Sequence, residues 1–147
     1  MMKRTLVTGA GGSPAVNFTR SLRAAPEKFY LIGTDSSKYY LHRAETDERH
    51  LVPGALDQDY LQILSEIIQE TKAEFLHVQN DVEMEVISEN REKLSIKLFL
   101  PSKETVRICL NKLESYKRWE AAGIKQPKTM LVNNEDDLRV AFEKFGN

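Results

Sequence analysis

Cysteine occurs once, as Cys109, so no internal disulfide can form and no multi-cysteine zinc site exists. That usage suits the reducing cytosol, and a cytoplasmic location is expected. Between Ile108 and Leu110, the thiol reads as buried and inert. Histidine is scarce as well. His42, His50 and His77 are scattered with no two at metal-ligand spacing, and His77 sits in an apolar run as a core or edge residue. Long apolar runs are missing. The N-terminus meets a glycine run too early for a signal-peptide core, and no later stretch approaches a membrane helix. Charge of one sign is missing too: 21 Lys and Arg oppose 22 Asp and Glu, leaving −1. No global basic field exists to hold nucleic acid or an anionic membrane, and neither is expected as a partner. Two motifs are also absent. No G-x-x-x-x-G-K-[ST] phosphate loop occurs, and none of Tyr30, Tyr39, Tyr40, Tyr60 or Tyr116 has Lys four positions later. Nothing assembles a nucleophile with a base.

What is present describes a soluble globular chain. Its 147 residues are 41% apolar and 29% charged, enough for one domain with a sizeable core and too little for two. Short β-branched runs alternate with amphipathic stretches, without repeats. Strands are expected at Thr5 to Thr8, Phe29 to Thr34, Arg49 to Val52, Phe75 to Val78 and Ile96 to Leu100. Ser13 reads as the cap of the first helix, with Pro14 at its first position and Pro26 as its stop. Lys38 to Glu48 reads as loop. Tyr60, Ile63, Leu64, Ile67 and Ile68 form one helical stripe, and a further helix runs from Asp81 to Lys93 with Asn80 and Glu83 at capping-box spacing. Ser102 opens a short helix reaching Leu110. Strands alternating with helices imply a doubly wound, Rossmann-like parallel sheet covered on both faces, because parallel strands need crossover connections.

The pattern shifts at Asn111, giving two expected regions, residues 1–110 and 111–147. In the second, a helix from Lys112 to Ala122 stops at Gly123, Lys128 to Val132 reads as a strand, and Leu138, Ala141, Phe142 and Phe145 share one face of a last helix. The tail looks like the opening of a further architecture.

Two segments carry chemistry. Thr8-Gly9-Ala10-Gly11-Gly12-Ser13-Pro14-Ala15 lies between a strand and a helix, where glycines permit a tight turn and the helix start offers N–H groups to an anion. Gly9 and Gly11 fit G-x-G-x-x-G, but Pro14 takes the third glycine position. Thr8, Gly9 and Gly12 instead match T-G-x-x-G-x-x-G, with Ala15 last. Asp35, ending the second strand, could accept from a ribose; its plainer role is to cap a turn. The second segment is Gln79-Asn80-Asp81-Val82-Glu83-Met84-Glu85. Asp81 and Glu83 fall on the carboxyl edge of the sheet, where ligands of such folds bind, and equally suit a helix's first turn. Lys103, Lys112, Lys117, Arg118 and Lys125 concentrate positive charge late in the chain, as solvated helix faces do; Tyr116 and Trp119 read as packing.

Together these segments resemble the N-terminal, pre-ATP-grasp region of an ATP-grasp ligase, of the kind related to the carbamoyl-phosphate synthase large subunit. Leu6-Val7-Thr8-Gly9-Ala10-Gly11-Gly12 is similar to that family's first strand and glycine loop, Asp35 to the acid closing its second strand, and Asp81-Val82-Glu83-Met84 to its D-x-E-L element. Asn111-Lys112-Leu113, continued by Ala121-Ala122-Gly123-Ile124-Lys125-Gln126-Pro127-Lys128-Thr129, is similar to the D-K … A-G-I-x-x-P-x-T passage opening the nucleotide-binding domain; Asn111 departs from the usual aspartate. The resemblance implies residues 111–147 as the start of an incomplete ATP-grasp domain. It further implies ATP and Mg2+ as cofactors of the full-length parent, with neither bound tightly by this stretch alone. The implied chemistry is activation of a small carboxylate as an acyl phosphate. Gly11, Gly12, Ser13, Asp35, Asp81 and Glu83 would line the substrate, Lys112 would approach the ATP phosphates, and the stretch itself would carry no catalytic residue. The implied partner is the remainder of the ATP-grasp chain or a split subunit. Two other readings stay open: an NAD(P)-binding domain of an oxidoreductase or epimerase, and a non-catalytic module binding a ligand or partner, for instance as a homodimer through Tyr39, Tyr40 and Leu41.

Overall fold

The computed structural model describes residues 2–146, which divide into two compact units, 2–103 and 104–146. The first is built on five strands, β1 (Lys3–Val7), β2 (Phe29–Asp35), β3 (Glu48–Leu51), β4 (Phe75–His77) and β5 (Lys97–Leu98). They form one sheet in the order β3-β2-β1-β4-β5, every pair parallel. Thr5 stands between Leu31 on one side and Phe75 on the other, which fixes the register of the three central strands. The expected doubly wound, Rossmann-like sheet is therefore present. Chain order reverses between β1 and β4, so the crevice beyond their carboxyl ends is the switch point where such sheets bind ligands.

Alternation along the strands sorts the two faces. Leu6, Ile32 and Leu76 point to one side and join Tyr60, Leu64, Ile67 and Ile68 of α3 (Tyr60–Thr71) and Ile87 of α4 (Asp81–Glu89) in the main core. Opposite, Phe18 of α1 (Ser13–Ala24) stacks on the His77 ring at 3.6 Å between centroids, so His77 is a packed residue at the end of an interior strand. The α3 stripe forms because its apolar positions recur at helical spacing, and Lys72 ends it in the left-handed conformation with φ 52°.

Local differences from the sequence reading have local causes. Ser13 does not cap α1: Gly12 holds the N-cap position, because its N–H closes a turn onto the Gly9 carbonyl at 2.9 Å and the helix starts at once. Residues 38–41, read as loop, form a single helical turn, α2 (Lys38–Leu41), too short for a periodic signal; the Ser37 hydroxyl accepts from Tyr40 N at 3.4 Å. The helix from Asp81 stops at Glu89, since Asn90 leaves helical geometry and a 3₁₀ turn covers Arg91–Lys93. The fifth strand keeps only Lys97–Leu98, an edge with one neighbour.

The second unit is helical: α5, which begins at the boundary (Lys103–Leu110), then α6 (Lys112–Ala121) and α7 (Glu135–Phe145). Lys128 to Val132, expected as a strand, forms neither strand nor helix, as no strand exists among the described residues of this unit to pair with it. Cys109, expected buried, is exposed. The unit buries little: among its described residues Val106 and Ser115 are buried, and Leu138, Phe142 and Phe145 on α7 remain exposed.

Candidate functional site

The first unit concentrates buried polar groups at the switch point. Gly9 follows β1 with φ +55°, a conformation in which an L side chain is strained, and a Cβ there would lie 3.2 Å from Asn80 Nδ2 and 3.3 Å from Glu83 Oε2. The glycine loop after β1 and the segment after β4 are thus in contact, bringing together two sequence motifs that are far apart in the chain.

Glu83 is the centre of this contact, with only 5% of its surface exposed. Its backbone N–H donates to Asn80 Oδ1 at 2.9 Å, capping α4 as the spacing predicted, and Asn80 Nδ2 donates back to Glu83 Oε2. The other carboxyl oxygen accepts from the Tyr60 hydroxyl at 2.9 Å. Burial pushes the Glu83 carboxyl above its ordinary pKa and nearby Asp35 adds to the shift, while the facing Thr8 and Tyr60 hydroxyls oppose it. Burial and the Glu83 charge likewise raise the Tyr60 phenol. The Thr8 and Thr34 hydroxyls, both fully buried, have no well-formed hydrogen bond. They share the sheet face of Leu6 and Ile32, so the polar cluster caps the main core at its carboxyl end. Asp81 is exposed and stands apart from these bonds.

Asp35 is buried and serves the loop. One carboxylate oxygen accepts from Gly11 N at 3.1 Å and the other from Ser37 N at 2.9 Å. Gly11 N–H is therefore committed to Asp35, and Gly12 N–H to Gly9. Two of the three donors expected to face a ligand, those of Gly11 and Gly12, hold the loop together in this structure. Ser13 remains exposed at the start of α1. Gly11 also lies flush against α2, where a Cβ would come within 1.8 Å of the Tyr40 carbonyl oxygen. The contacts made by Tyr60 and by the Tyr40 backbone escaped sequence reading. For Tyr60 a signal existed, since a hydroxyl on a buried stripe needs a partner; for a main-chain contact none does.

In the second unit, Asn111 caps α6, its side-chain oxygen accepting from Leu113 N and Glu114 N, each at 3.1 Å. Lys112 follows, exposed, and borders a groove of about 470 Å³ with Tyr116, Trp119, Gln126, Pro127 and Thr129. Among the described residues no three His, Cys, Asp or Glu are grouped to hold a metal, and no helix is long and apolar enough to cross a membrane.

The sequence matches no protein-family profile and no curated protein. Solved structures do match. A biotin carboxylase domain of a single-chain bacterial carboxylase superposes with TM-score 0.63 at 18% identity, over 99% of this chain and 35% of its own length. The biotin carboxylase domain of Hydrogenobacter thermophilus 2-oxoglutarate carboxylase, solved with MgADP and bicarbonate, gives 0.63 at 14% identity, over 100% of this chain and 34% of its own. The fold is that of a biotin carboxylase N-terminal domain. Glycinamide-RNase-transformylase T from Mycobacterium tuberculosis matches as well, with TM-score 0.59 at 17% identity over 95% of this chain and 38% of its own. This chain thus spans about a third of the length of the structures it matches.

Proposed function

We propose that this chain is the substrate-side portion of a cytoplasmic, ATP- and magnesium-dependent carboxylate ligase that works through an acyl phosphate, as carbamoyl-phosphate synthase does. One observation carries the reading: the likeness to biotin carboxylase domains extends over 99–100% of the chain, so it includes residues 111–147, where the Asn111-Lys112 and Ala122-Gly123-Ile124 motifs lie. The H. thermophilus domain was solved with MgADP and bicarbonate, a nucleotide and a small carboxylate-like anion.

In this reading Gly11, Gly12, Ser13 and Asp35 shape the loop wall of the substrate site, and Asp81 and Glu83 its opposite wall. Lys112 supplies a positive charge for the ATP phosphates. No three acidic or metal-ligating side chains are grouped among the described residues, and in this reading the metal's ligands come from the remainder of the enzyme, on the same chain or on a partner subunit.

The test is ADP release by the native gene product with ATP, Mg2+ and a panel of small carboxylates. ADP formation that depends on one carboxylate is the expected result. Absence of such formation, together with tight NAD(H) or NADP(H) binding, would overturn the reading in favour of a dinucleotide domain.

A further inference from the structure

α3 and α4 both pack on the sheet face of Leu6 and Leu76. α1 lies on the other face, its Phe18 against His77, and a groove of about 460 Å³ runs beside it. The floor of the groove comes from the amino ends of the strands. Phe75 stands level with Thr5 on one side and Lys97 on the other, while the alternate residues Leu76 and Leu98 turn to the main core. Phe18 and Leu22 of α1 and Phe29, the first residue of β2, complete an apolar lining.

Cations outnumber acids around this lining. Lys3, Arg4 and Lys97 border it with one acid, Glu74. One Glu74 carboxylate oxygen accepts from Arg4 N–H at 3.2 Å, so that acid is tied to the main chain. Lys3 has Glu27 at 2.7 Å and Arg4 has Glu48 at 3.7 Å, but the exposed Lys97 side chain has no ion pair among the described residues. The groove therefore joins an apolar floor to an uncompensated ammonium on its β5 rim. A second copy docked by this same face would set cation against cation, and a neutral apolar ligand would gain nothing from Lys97.

We infer that this groove binds a medium-chain fatty-acid anion, its acyl chain against Phe18, Leu22, Phe29 and Phe75 and its carboxylate on Lys97. A few hundred cubic ångströms of mainly apolar lining with one placed charge is the make-up of a small-ligand site. The inference does not rest on the ligase reading, since the groove lies at the amino ends of the strands and Glu83 beyond their carboxyl ends.

The experiment is an NMR titration of the full chain with hexanoate, octanoate, decanoate and octylammonium, all kept below micelle formation. The fatty-acid anions are expected to shift the Phe18, Phe29 and Phe75 ring signals, with affinity rising about threefold for each added methylene. Octylammonium should bind about fivefold more weakly than octanoate. Lys97→Glu, a change at an exposed side chain, should reverse that order. Leu22→Gln should weaken octanoate about threefold or more and keep the preference for the anion. If that variant does not fold, Lys97→Glu alone carries the test. Affinity that ignores chain length would overturn the inference. So would octylammonium binding as tightly as octanoate, an order unchanged in Lys97→Glu, or shifts confined to the groove beside Lys112 and Trp119. A dimer in solution whose ring signals ignore octanoate would overturn it as well and give the face to a second copy.

Discussion

The Tyr60 hydroxyl donates to Glu83 Oε1 at 2.9 Å, joining the first residue of α3 to the first turn of α4. Both side chains are buried, so the bond closes the core just beneath the switch point. Tyr60→Phe keeps the ring's packing and deletes only the donor. A buried carboxyl left short of a partner costs about 1–3 kcal/mol. Urea unfolding should show that loss as a lower midpoint with an unchanged slope. An unaltered midpoint would mean the bond is not formed.

The raised pKa of Glu83 makes a second prediction, whose sign follows from linkage. An acid whose folded-state pKa exceeds its unfolded value keeps its proton longer when folded. Between the two values the folded state binds more protons, so stability falls as pH rises through that window. The Glu83 contribution is fully present below the unfolded value, about 4.3, and is lost as pH climbs through the raised one. Glu83→Gln has no proton to lose, and its amide can still pair with the Thr8 hydroxyl that faces it. The melting temperature of the variant relative to the natural protein should therefore rise with pH from about 4 upward and then level off. A pH-independent difference would show that Glu83 binds its proton equally in the folded and unfolded states.

These two residues also mark how far the sequence could be read. The sheet was legible because its strands are β-branched runs separated by amphipathic stretches, and parallel pairing follows from the crossovers. Glu83 was legible as the partner of Asn80, a relationship of three residues along one chain. Its bond to Tyr60 was not, because it depends on how two helices pack. Gly11 shows the same division. The glycine run announced a tight turn, but the need for glycine at that position comes from the main chain of Tyr40, which no side-chain pattern encodes. The short turn at Lys38–Leu41 and the unpaired segment at Lys128–Val132 were misread for a related reason: four residues show no helical period, and strand propensity makes no strand without a neighbour.

Gly11→Ala places a methyl group 1.8 Å from the Tyr40 carbonyl oxygen, a main-chain atom that moves only if α2 moves. The expected cost is about 3 kcal/mol or more, with α2 displaced from the loop. Gly54→Ala is the control, since nothing lies within 4 Å of a Cβ there. It should change stability by less than about 0.5 kcal/mol. Guanidinium unfolding of the two variants separates a packing requirement from a general effect of losing glycine; similar stabilities would refute the close contact.

Asn111 and Lys112 are adjacent but answer to different forces, and substitution can separate them. Asn111 holds two N–H groups of α6, so Asn111→Ala should cost about 1 kcal/mol of stability, while Asn111→Asp, an equally good cap, should cost almost nothing. Lys112 is exposed, and Lys112→Ala should leave stability within about 0.5 kcal/mol. In the ligase proposed above the same change should weaken ATP about tenfold or more, read by displacement of a fluorescent ATP analogue, because a phosphate-facing charge is worth more than a solvated one. Wild-type ATP affinity in that variant would remove Lys112 from the nucleotide site and leave Asn111 as a structural cap with no ligand-binding neighbour.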